Sequence, residues 1–128
     1  MKIVLSFAVF FLIIAIALTG CKSTESNIEI REAPIHEVRI SIAESAPPQV
    51  FVYIKGGLSD GCTTFHEIKT SRVGDTITIR VMVQRPEDKM CTAIYGFFEK
   101  NVALGSDFIS GRTYTVKVNS ETKTFIIQ

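Results

Sequence analysis

The residues able to do chemistry in this chain are few. Three cysteines (Cys21, Cys62, Cys91), two histidines (His36, His66) and 13 acidic side chains stand against 14 basic ones in 128 residues. A catalytic reading starts at His66-Glu67 with Asp60 nearby, because an imidazole beside a carboxylate is a common general base. Adjacent residues of a strand point to opposite faces, so this pair is not expected to meet. No serine stands in a G-x-S-x-G turn, and no Ser/His/Asp set stands out. A metal reading fares no better. There is no C-x-x-C, and neither histidine has ligand spacing to a cysteine. Asp60, Asp75, Glu87 and Asp88 offer hard oxygen ligands from expected loops, without the D-x-D-x-D-G clustering that calcium takes. Asp60-Gly61 and Gly74-Asp75 fit simple turns. The expectation is a non-enzymatic domain with no metal and no cofactor.

The third cysteine has a different setting. Leu18-Thr19-Gly20-Cys21 closes a sixteen-residue apolar run from Ile3 to Leu18, preceded by one charge, Lys2. This arrangement resembles the lipobox of a bacterial lipoprotein signal peptide. As a retained helix the run would span about 24 Å, short of the roughly 30 Å hydrocarbon core. No basic cluster follows it to stop transfer. The resemblance implies cleavage before Cys21, a diacylglycerol on its thiol, and display on the outer face of the cytoplasmic membrane or at the outer membrane. Lys22, where an Asp would favour inner-membrane retention, leans towards the outer membrane under the sorting rule of that class. Two or three acyl chains hold firmly, at about 0.8 kcal/mol per buried CH₂, so membrane attachment needs no apolar surface on the domain itself.

With Cys21 committed to lipid in an oxidising compartment, Cys62 and Cys91 are expected to pair as a disulfide. For a loop of nearly thirty residues the chain-entropy account gives about 3.5 kcal/mol.

Removing residues 1–20 leaves 108 residues, enough for one core and one domain. Only Lys2 of the 14 basic residues is lost, leaving 13 against 13 acidic residues. That neutrality argues against a nucleic-acid partner, which asks for a basic face. Lys22–Ala33 is polar and reads as a tether that Pro34 ends, so residues 21–34 are expected to form a lipidated tether and residues 35–128 the domain. From there the period is two almost throughout. Val38–Ile42 alternates as a half-buried strand, and Val50–Ile54 is apolar on both faces, as in a central or covered strand. Gly56-Gly57 and Asp60-Gly61 punctuate a turn, and a weaker strand spans Thr64–Thr70. Ile77, Ile79, Val81 and Val83 form the clearest inward row. Pro86–Lys89 is a loop, Met90–Phe98 a strand with a bulge or close approach at Gly96, and Val102–Leu104 a short piece. Thr113–Val118 and Lys123–Gln128 pair as a terminal hairpin. About seven short strands at this spacing predict an all-β, antiparallel, immunoglobulin-like sandwich.

Residues 35–128 also resemble small uncharacterised bacterial secreted or lipid-anchored proteins. The likeness lies in Asp60-Gly61-Cys62-Thr63, a second cysteine at Cys91, and a terminal Tyr114-Thr115-Val116-Lys117-Val118-Asn119 hairpin. It implies the fold and no activity. The candidate binding surface is Tyr95, Phe97 and Phe98, because consecutive aromatics in a strand cannot all point inward. The other reading is that a bulge at Gly96 turns both phenylalanines into the core, which a chain without tryptophan needs them to fill. The expected role is a lipid-anchored binding or structural envelope module whose partner is an envelope protein, a peptide or a glycan. The rival role is an inhibitor or accessory domain acting through the Gly56–Asp60 and Pro86–Lys89 loops.

Overall fold

The computed structural model describes residues 27–128; the apolar run, the cleavage site and Cys21 lie outside them. Among the described residues the regular structure is eight strands: β1 (Ile28–Glu32), β2 (Ile35–Ala43), β3 (Gln49–Leu58), β4 (Thr64–Val73), β5 (Thr76–Pro86), β6 (Gly96–Gly105), β7 (Thr113–Val118) and β8 (Glu121–Ile126). They form two sheets, a three-stranded one in the order β2-β3-β6 and a five-stranded one built around β5. Apolar residues at alternate positions of both sheets meet in the core. Val50, Val52 and Ile54 of β3 face Ile77, Ile79, Val81 and Val83 of β5 and Tyr114, Val116 and Val118 of β7, all buried. The all-β sandwich is as the alternation predicts.

One edge of β5 is shared by two strands lying end to end. β7 runs parallel to Thr76–Ile79, and β1 runs antiparallel to Met82–Pro86. Between them Asn119 closes the gap. Its backbone N–H donates to Ile79 O at 3.1 Å, and its Oδ1 accepts from Val81 N–H at 2.9 Å. Its Nδ2 donates to Val81 O at 3.0 Å and Ala33 O at 2.8 Å. Asn119 holds φ at 49°, a left-handed conformation that asparagine tolerates better than most residues.

Several expectations need correction, beginning with the all-antiparallel pairing, which the parallel β5–β7 pair breaks. The tether does not extend to Pro34: Ile28–Glu32 is a strand, because the free edge of β5 beyond β7 offers unpaired backbone groups that a neighbouring extended segment satisfies. The strand expected at Met90–Phe98 begins only at Gly96 and runs on through Val102–Leu104 as one element, β6. Gly96 is therefore a strand start and not a mid-strand bulge. Gly56-Gly57 is not a turn but lies inside β3, paired with Phe98 and Phe97 of β6.

Candidate functional site

The β3–β4 connection and the β5–β6 connection are bound together by the residues of the Asp60-Gly61-Cys62-Thr63 turn. Asp60 Oδ1 accepts from the N–H of Cys62 at 3.0 Å, the N–H of Thr63 at 2.9 Å and the Thr63 hydroxyl at 2.8 Å. Asp60 Oδ2 accepts from Arg85 Nε at 2.6 Å. Gly61 donates its N–H to Thr92 O at 2.9 Å, and its bare Cα leaves room for the Thr92 side chain. Cys62 is disulfide-bonded to Cys91, with Cα atoms 5.5 Å apart. Each of the four residues thus has a task in one clasp, which fixes the Glu87–Tyr95 loop to the sandwich.

The Arg85 guanidinium first, and then the Thr63 hydroxyl, pull the Asp60 carboxyl from its ordinary 3.8 down to about 2. A depressed pKa means the unfolded chain takes up the proton first. The contribution of Asp60 to stability is therefore complete above about pH 5 and is lost as pH falls through 4 towards 2. Asp60→Asn is expected to be less stable at neutral pH and to show a flatter loss of stability between pH 4 and 2. Urea midpoints measured across pH 2–6 check this; parallel curves for the two proteins would count against the clasp.

Four residues beyond Cys91, Tyr95 reaches the outer face of the three-stranded sheet. The register of β2 slips between Ile35 and Glu37, so His36 is an extra residue and turns to that face. His36 Nε2 and the Tyr95 hydroxyl hydrogen-bond at 2.6 Å over Gly57, where any side chain would strike the phenol. Phe97, directly opposite Gly57 in β6, packs edge-on against both rings, with centroids 5.2 Å from His36 and 5.3 Å from Tyr95. Lys55 Nζ lies 4.8 Å from the Phe97 centroid. Further along the same face Arg39 stacks on Tyr53 at 4.3 Å and pairs with Glu37 at 2.9 Å. The face carries Glu37, Glu99, Arg39 and Lys55, two charges of each sign.

The three aromatics proposed from sequence therefore separate. Tyr95 and Phe97 remain 45% and 54% exposed. Phe98 turns inward, tilted against Phe65 at 5.4 Å and seated over Gly56. Strand alternation wins: the reading that puts both phenylalanines in the core holds for Phe98 alone. Sequence reasoning missed His36, because its exposure comes from a bulge that only cross-strand register creates. It also misplaced His66. A second bulge between Phe65 and Glu67 brings His66 to the face of Glu67, with Nε2 3.9 Å from Glu67 Oε1 and Nδ1 2.8 Å from Gln84 Oε1. Glu67 is taken by Lys69 at 2.9 Å, whose hydrogen bond lowers the Glu67 pKa. Asp75 pairs with Arg112 at 3.2 Å. Among the described residues no three His, Cys, Asp or Glu side chains are grouped to hold a metal.

Residues 52–127, from β3 to the C-terminal strand, match the ORF11 beta-sandwich domain. The chain is 46% identical over 85 residues to an uncharacterized 10.2 kDa protein in the HgiCIIM 5′ region of Herpetosiphon aurantiacus, covering 66% of this chain and 89% of that protein. It is 45% identical over 75 residues to the uncharacterized 10.2 kDa protein in the HgiBIM 5′ region of the same organism, covering 59% of this chain and 90% of that one. No solved structure matches. The matched span holds the clasp, Tyr95, Phe97 and the terminal hairpin, and on that span the chain belongs to the ORF11 beta-sandwich domain family.

Proposed function

We propose that this domain is a non-enzymatic binding module outside the cytoplasm, held to a membrane by a lipid on Cys21, which engages an envelope partner through the outer face of the β2-β3-β6 sheet. The observation that carries the reading is the His36–Tyr95–Phe97 cluster: three exposed, mutually packed rings braced by a disulfide four residues away. Rigid aromatic groups supply contact area at low entropic cost. The balanced charges around them suit a neutral protein, peptide or glycan surface over a strongly charged one. The loop-borne inhibitor is the weaker alternative, since Gly56–Leu58, three of the five residues of its first expected loop, is strand.

The test is a crosslinking pull-down from intact cells with Tyr95→Ala/Phe97→Ser. Both side chains are exposed, so unfolding stability should change by less than about 1 kcal/mol. Capture of the partner seen with the wild type is expected to fall at least tenfold. Undiminished capture by the folded double variant would rule the face out. Phe98 is the wrong partner for this test, because its loss empties the core.

A further inference from the structure

The chain enters the sandwich at one particular end. Asn27 O accepts from Glu87 N–H at 2.9 Å, and Ile28 is paired with Pro86. The N-terminal strand therefore starts at the clasp. From Cys21 to Asn27 is six residues, a reach of at most about 20 Å when fully extended. The ten-residue strands β3, β4 and β6 run about 33 Å. An anchor on Cys21 thus holds the clasp end near the membrane and keeps the opposite end, with the Val73–Thr76 turn, away from it.

The clasp end also carries unpaired apolar side chains. Met90 is 100% exposed and Ile94 69%, both on the Glu87–Tyr95 loop, and Ile28 beside Pro86 is exposed as well. These side chains are not on a slack loop: Cys91 is bonded to Cys62, and Thr92 O accepts from Gly61. Met90 sits next to the disulfide, presented outward by it.

We infer that Met90 and Ile94 insert into the lipid surface that carries the Cys21 anchor, so that the domain stands on its clasp. This rests on the lipid-anchor reading above. Glu87, Asp88 and Lys89 precede Met90 and stay at the level of the headgroups, giving the loop no attraction for anionic lipid. The seat is apolar and is indifferent to lipid charge and to salt. Its consequence is geometric. Tyr95, one residue beyond Ile94, is held beside the headgroups, so the partner of the aromatic face is met close to the membrane surface.

The experiment uses the full chain in intact cells, with a diazirine amino acid at position 90 or, as control, at position 73. Val73 is apolar and 82% exposed but lies at the far end. After irradiation, phospholipid adducts are expected at position 90 at least tenfold above position 73. Equal adducts at the two positions, protein adducts alone at position 90, or none there in a chain that is membrane-bound and bears lipid mass on Cys21, overturn the seat and leave the anchor standing. A chain with no lipid mass on Cys21, released from the membrane fraction, overturns the anchor and the seat together.

Discussion

Asn119→Gly is expected to lower the thermal midpoint by roughly 10–20 °C, the shift that about 3 kcal/mol gives in a domain of this size. The magnitude follows from what the side chain satisfies. Three of its hydrogen bonds go to backbone groups of Val81 and Ala33, both buried, and among the described residues no strand is positioned to replace it at the junction of β1 and β7. A buried backbone donor left without a partner costs about 1–3 kcal/mol, and the Val81 N–H is such a group. Glycine keeps the left-handed φ at no steric cost, so the loss measured is that of the side chain alone. Asn119→Ala should lose about 1 kcal/mol more, from backbone strain. Asn119→Asp should be worse than Gly at neutral pH, since it sets a carboxylate against two carbonyl oxygens. Thermal or urea unfolding of the oxidised protein checks the order. A glycine variant as stable as the wild type would mean that the β5 edge is not closed by this residue.

Cys62→Ala/Cys91→Ala is expected to lose about 3.5 kcal/mol, the chain-entropy value for a loop with a sequence separation of 29. A second loss should accompany it. The clasp also fixes Tyr95, four residues on, so the variant should fail to present the His36–Tyr95–Phe97 cluster even at temperatures where its core remains folded. Paired measurements separate the two effects: urea unfolding for stability, and partner capture at low temperature for presentation. Asp60 and Gly61 would still hold part of the turn, so the variant should fold, with a core of unchanged composition. Equal stability of the wild type in oxidising and reducing buffer, or free thiols found by mass spectrometry without reductant, would remove the disulfide from this account.

Much of the sandwich is legible in the chain because side-chain alternation is a local property. Ile77, Ile79, Val81 and Val83 declare an inward row with no knowledge of what covers it, and Tyr114, Val116 and Val118 declare another. The terminal hairpin is legible for the same reason: two alternating runs at the end of the chain leave one simple pairing, although the second begins at Glu121 and not at Lys123. The Asp60–Thr63 turn is legible as a turn. Its part in a clasp is not, because Thr92 and Arg85, which complete it, are remote in sequence.

The aromatic face shows where local reading stops. Alternation predicts that Phe97 and Phe98 point to opposite sides and cannot say which side is solvent. Gly56 and Gly57 look like turn residues, yet they are strand residues whose missing side chains make room for Phe98 and for Tyr95 with His36. A glycine kept for a close approach and one kept for a turn are spelled alike.

What the sequence determined by itself is therefore the all-β pattern and the inward rows of β5 and β7, which depend on neighbours two residues apart, together with a balance of 13 basic and 13 acidic residues beyond position 20. Tertiary structure alone decided the strand order, the recruitment of Ile28–Glu32 to the β5 edge, the two bulges that reposition His36 and His66, and the exposure of Tyr95 and Phe97. The physical reason is that a strand's unpaired backbone groups take whichever partner the packed core brings alongside, and a slip of one residue in that pairing changes which face a side chain occupies.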